Sequence, residues 1–126
     1  MDTQLLLWAS TGSDRLPPKA VERIEDEDVE LLFSAASIWE VAIRSALGKR
    51  DFEFDASVLR RGLLDNGYVE LPITGLHGAH VASLPRVHRD PFDRILVAQA
   101  TLEGVTLLTV DPIIAKYAGP IALLAG

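Results

Sequence analysis

Short apolar runs alternate along the chain with segments of helical periodicity, which is the pattern of a parallel α/β sheet. Leu5-Leu6-Leu7-Trp8 follows Asp2 and predicts a short helix, and Ser10-Thr11-Gly12-Ser13-Asp14 reads as a loop by composition. Pro17 and Pro18 suit the first turn of a helix to about Asp26, with Ala20, Val21 and Ile24 on its apolar side. Glu30 to Phe33 predicts a strand. A helix follows from about Ser37 to Leu47 and ends at Gly48. Asp55 caps a helix through about Leu64, Tyr68 to Leu71 is a second strand, and Thr74 to Ser83 is a short helix ended by Leu84-Pro85.

The clearest helix opens at Asp90-Pro91-Phe92-Asp93, with Asp90 as N-cap and Pro91 at the first helical position. Its apolar stripe is Phe92, Ile95, Leu96, Ala98, Gln99 and Leu102, in which Gln99 alone is out of character, and Gly104 ends it. Val105 to Val110 is a continuous apolar strand of the kind covered on both faces. Ile113 to Tyr117 predicts a helical turn and Ile121 to Leu124 an edge strand.

At 126 residues the chain is one domain, spanning 1–126. It has no cysteine, which excludes disulfides, thiolate metal sites and cysteine nucleophiles together. The net charge of −6 is the wrong sign for a protein held to nucleic acid by bulk charge. A polyanionic substrate would have to be drawn in by local basic residues or a bound cation. No stretch has the length of a membrane-spanning helix, and Asp2 stands where a secretion signal wants a basic residue. The expectation is a soluble, cytoplasmic protein with no membrane partner.

The acids fall in a pattern. In an open parallel sheet, ligands bind outside the carboxyl ends of the strands. Asp111 follows the last central strand, Glu40 is placed in the first turn of the helix after the Glu30 strand, and Asp93 is in the first turn of the helix that leads to the Asp111 strand. Asp2 precedes a helix and sits at the same edge if a strand end lies there. Clustered carboxylates repel, and a hard divalent ion such as Mg²⁺ or Mn²⁺ relieves that repulsion while activating water and neutralising phosphoryl charge. The matching reaction is hydrolysis of a phosphodiester. Each acid also has a structural reading. Ser37-Ile38-Trp39-Glu40 is a capping-box pattern, Asp93 favours the helix dipole, Asp111-Pro112 is a turn start, and Asp2 is near a terminus.

The remaining polar groups are less specific. His77 and His80 have no third ligand at zinc spacing and read as surface or packing residues. Arg86, His88, Arg89 and Arg94 either hold phosphates or form a solvated face paired to Asp90 and Asp93. Lys49-Arg50 and Arg60-Arg61 are further basic spots, and Trp8 and Trp39 read as core or interface rather than base-stacking groups. There is no serine nucleophile elbow, phosphate-binding glycine loop or dinucleotide fingerprint.

Four blocks resemble the motifs of PIN-domain proteins: Asp2 to Trp8, Ser34 to Ile43, His88 to Ala100 and Leu107 to Asp111. The nearest group is the VapC-type toxins of toxin–antitoxin pairs, and the likeness runs from Asp2 to about Tyr117. The resemblance implies a three-layer α/β fold with a parallel sheet between helices. It implies a Mg²⁺- or Mn²⁺-dependent endoribonuclease with four acids, Asp2, Glu40, Asp93 and Asp111. Asp2 and Asp93 would be the principal metal ligands, with Glu40 and Asp111 completing the site or positioning water, while Asp90 would cap its helix. It also implies a homodimer, an RNA substrate and silencing by a cognate antitoxin, for which apolar surface near Leu5 to Trp8 and Trp39 would form a groove. Family sheets have five strands, the first preceding the first acid. Only Met1 precedes Asp2 here, so that strand is expected to be truncated.

Two other functions are consistent with parts of this pattern. A degenerate, non-catalytic module would bind antitoxin or RNA without cutting. A receiver-like phosphoacceptor would need an acidic pair after the first strand and a lysine after a late one, and Lys19, Lys49 and Lys116 are not so placed.

Overall fold

Asp2 begins the fold by capping: its Oδ1 accepts the Leu5 N–H at 2.7 Å and starts helix α1 (Thr3–Thr11). A nine-residue helix is marginal alone. Burial of Leu5, Leu6 and Leu7 holds it in place, at roughly 1.5–3 kcal/mol for each side chain. Those leucines belong to the core, which corrects the expectation of an apolar groove near Leu5 to Trp8.

The computed structural model describes residues 1–48 and 54–124. After α1 come α2 (Pro18–Glu25), β1 (Leu32–Ser34) and α3 (Ala35–Ala46), then α4 (Ala56–Asp65), β2 (Val69–Leu71) and α5 (Gly75–His80). The chain closes with α6 (Pro91–Glu103), β3 (Leu107–Thr109) and β4 (Ile121–Leu123), and with single 3₁₀ turns at Val81–Ser83 and Ile114–Lys116. This is a mixed α/β architecture with short parallel strands. It matches the three-layer reading.

Among the described residues the strands form two parallel pairs, β1 with β2 and β3 with β4, rather than one five-stranded sheet. Each pair is three residues deep, shorter than the predicted runs, because pairing covers only Leu32↔Val69 to Ser34↔Leu71 and Leu107↔Ile121 to Thr109↔Leu123. Met1 and Asp2 lie between the pairs. The Met1 amine donates to the Leu32 carbonyl at 3.4 Å, and the Asp2 N–H donates to the Leu108 carbonyl at 2.8 Å. Beside them is a cavity of about 260 Å³ lined by backbone and side chains of β1 and β3 and by Leu96, Gln99 and Ala100 of α6.

Leu108 joins the core around α1, Phe33, Val41, Leu59 and Leu63. Leu107 joins a second core with Leu96, Val97 and Ala100 of α6, Ile114 and Tyr117. Adjacent strand residues point to opposite faces, so β3 separates two helical layers.

Two local expectations change. Helix α3 starts at Ala35 under Ser34, whose Oγ accepts the Ala36 N–H at 3.0 Å. The Ser37–Glu40 spacing is therefore not a capping box, and Glu40 falls in the second turn rather than the first. Gln99 explains its own misfit in the stripe. Its Oε1 accepts the Ser34 hydroxyl at 2.5 Å and its Nε2 donates to the Pro72 carbonyl at 3.3 Å, tying α6 to the carboxyl ends of β1 and β2.

Candidate metal centre

The site lies at the carboxyl ends of β1 and β3 and the N-terminus of α6. Asp90 caps α6 through the Phe92 N–H at 2.8 Å, and Pro91 occupies the position where a missing N–H costs nothing. That places Asp93 in the first turn with its side chain about 15 % exposed. Burial pushes the Asp93 carboxyl up to about 7, helped by the negative charges of Asp90, Glu40 and Asp2 and opposed by His88.

Glu40 reaches the same place from α3. Its Oε1 accepts the Thr3 hydroxyl at 2.7 Å, the same hydroxyl lies 3.0 Å from Ser37 Oγ, and its Oε2 is 3.5 Å from Arg44 Nη1. Burial raises its pKa, partly offset by the Thr3 hydrogen bond. Asp90 and Asp2 add to the rise, so these acids lie within electrostatic reach of one another.

Asp2 is 3 % exposed and both of its oxygens are engaged. Oδ1 caps α1, while Oδ2 accepts the Thr109 hydroxyl and, at 3.1 Å, the Val110 N–H. Thr109 Oγ1 in turn accepts the Asp111 N–H at 3.0 Å, so one hydroxyl connects the two acids at the end of β3.

The pairing of His88 with the acids of α6, one of the two readings of its sequence position, extends in the structure to Asp111. His88 Nε2 lies 3.1 Å from Asp93 Oδ2 and 3.3 Å from Asp111 Oδ2, joining the start of α6 to the end of β3. The ligand atoms of His88, Asp93 and Asp111 all lie within 4.8 Å of one another, and among the described residues they are the group able to share a metal ion. The four predicted acids thus converge on one edge, but with different roles. Asp93 and Asp111 form a compact group with His88, Glu40 lies within electrostatic reach of Asp93, and Asp2 caps α1 while accepting from Thr109 and Val110.

Other polar groups are structural. His77 is buried in a capping box with Thr74, with Nε2 2.7 Å from Glu103 Oε1, as the packing reading held. Arg94 is spent on the Val81 and Pro85 carbonyls, both at 2.9 Å, and on the Tyr117 hydroxyl at 3.1 Å. Arg60 makes a two-point pair with Glu70 at 2.7 and 3.0 Å. Arg86 and Arg89 are exposed and share a cleft with His88 and Arg94. Lys49-Arg50 lies outside the described residues.

The fit to a cation is chemical. Two carboxylates face one point beside His88, and burial together with the negative charges of Asp90, Glu40 and Asp2 pushes the Asp93 carboxyl up, a cost that a bound cation would relieve. Comparison with protein families matches the PIN domain over residues 1–120. The chain belongs to the PIN domain family. PIN domains are generally metal-dependent nucleases that hydrolyse phosphodiesters, and their metal ions are divalent. Among curated proteins, no match is found. No helix among the described residues is long and apolar enough to cross a membrane.

Proposed function

We propose that this PIN domain is an endoribonuclease toxin that uses Mg²⁺ or Mn²⁺ and is neutralised in the cytoplasm by a cognate antitoxin. The pairing of Asp93 with Asp111 at the carboxyl edge supports the nuclease reading most directly. Asp93 and Asp111 would hold the ion, with Glu40 nearby. A bound divalent ion supplies an activated water and neutralises charge on the phosphoryl group.

The chain's own groups do the rest. The α6 cap fixes the Asp93 backbone, and Thr109 links the Asp111 amide to Asp2. Thr3 holds the Glu40 carboxyl. Exposed Arg86 and Arg89 adjoin the site through His88 and would bind backbone phosphates of the RNA, supplying the local positive charge that the net charge lacks.

For the antitoxin, α3 and its C-cap offer an outward stripe of Trp39, Ile43 and Leu47, with Trp39 60 % exposed and set edge-on to Phe92 at 5.2 Å. An amphipathic segment laid on that stripe would pass beside Glu40. A homodimer is part of the same proposal and is checked by sedimentation.

The test is cleavage of a labelled single-stranded RNA by the purified chain with and without Mn²⁺ or Mg²⁺, beside Asp93→Asn. Cation-dependent cutting by the wild type, reduced at least about 100-fold in the variant, is expected. Expression in a bacterial host should arrest growth for the wild type alone. RNA bound but uncut at every cation concentration would favour the non-catalytic module.

A further inference from the structure

We propose that His88 and the divalent cation compete for the same two carboxylates, so that His88 sets the affinity of the site and swings out when the cation enters. The inference rests on the metal-nuclease reading of Asp93 and Asp111.

The first observation is the tautomer. His88 Nδ1 accepts the Asp90 N–H at 3.1 Å, so the lone pair of Nδ1 is used. The ring proton is therefore on Nε2, which lies 3.1 Å from Asp93 Oδ2 and 3.3 Å from Asp111 Oδ2. A metal-bound imidazole needs a lone pair at the coordinating nitrogen, and its other nitrogen donates to an acceptor. His88 has the reverse arrangement. It is a donor shared by two acceptors, standing where those acceptors converge.

The second observation is space. The His88 backbone is pinned by its N–H to the Tyr117 hydroxyl at 2.9 Å, independently of the ring. Beside the ring is an open cleft of about 480 Å³ lined by Arg86, Arg89 and Arg94. Rotation about the side-chain bonds moves the ring into that cleft while Asp93 and Asp111 stay on their elements. The cost is the hydrogen bonds at Nε2 and Nδ1, which the cation's attraction to both carboxylates must exceed.

Manganese binding decides the matter without reference to activity. Mn²⁺ is titrated into wild type, His88→Ala and His88→Gln, with free ion read by electron paramagnetic resonance. Pulsed measurements on the loaded wild type report any directly coordinated nitrogen. Competition predicts binding about tenfold tighter in His88→Ala, the size of one lost hydrogen bond to a charged group. It predicts a smaller gain in His88→Gln, whose amide can still donate, and no coordinated nitrogen in the wild type. Weaker binding in His88→Ala, equal affinity in all three chains, or a nitrogen coupling in the wild type would overturn it. The nitrogen readout needs no variant, so it stands even if a substituted chain folds poorly. Binding that is present but insensitive to His88 refutes this inference alone, whereas no binding by any chain refutes the metal reading beneath it.

Discussion

Asp93 carries a cost that the folded chain bears for its site. Its carboxyl titrates at about 7 in the folded protein, against an ordinary value near 3.8. Between those values the folded state holds a proton that the unfolded state has lost. Stability contributed by this group is therefore largest in acid and is lost as pH rises through 7. Glu40 shifts in the same direction. In the presence of a chelator, the wild-type Tm should fall from about pH 5 to about pH 8. Asp93→Asn, which has no charge to bury, should fall less and should melt above the wild type at the alkaline end. Parallel melting curves across that range would contradict the electrostatic account of the site. Under the proposed nuclease function, Asp93 would trade fold stability for chemistry.

At the scale of elements, helix ends decide where the acids point. Helix α6 stops at Gly104, whose φ of 65° is a left-handed conformation that costs a residue with a Cβ about 1–2 kcal/mol. Gly62 lies inside α4 with an ordinary φ, and an added Cβ at either glycine meets nothing within 4 Å. Backbone conformation alone therefore sets the sign. Gly104→Ala should destabilise by about 1 kcal/mol, and Gly62→Ala should stabilise by roughly 0.5–1 kcal/mol. Urea denaturation of the two variants checks the pair, and equal signs would refute the argument.

Helices were legible in the sequence for the same reason. Asp55, Asp90, Gly48 and Gly104 announce ends through local chemistry, and all four stand at the helix ends expected of them. Strand lengths were not, because pairing is a property of the partner strand, and three-residue ladders leave flanking apolar residues such as Val105 and Val110 outside the ladder. Ser34 displaced Ser37 as the α3 cap for a related reason. β1 runs directly into the helix without a loop, so the last strand residue becomes the cap.

Across the whole molecule, contacts far apart in sequence assemble the site. Asp2 reaches Thr109 and Val110, and Thr3 reaches Glu40. His88 reaches Asp111. The convergence of acids on one edge followed from the order of strands and helices, which is why it was readable. Their division of roles was not, since it depends on which hydroxyl or amide each carboxylate meets. Asp2 reads as one more acid in the chain, and that it accepts from Thr109 as well as capping α1 shows only in the fold. The contact of His88 with Asp111 was not legible, because the two are 23 positions apart.

Under the proposed function, Asp93 and Asp111 hold a divalent ion. This assignment is tested most directly by the melting temperature of wild type, Asp93→Asn and Asp111→Asn near pH 7.5, titrated with Mn²⁺ or Mg²⁺ from a chelated start. A ligand that binds only the folded chain stabilises it by RT ln(1 + [L]/Kd), about 2.7 kcal/mol at one hundred times Kd. A concentration-dependent rise in the wild-type Tm, lost or strongly reduced in both variants, is expected. A wild type indifferent to either cation, or variants that respond as it does, would contradict the assignment.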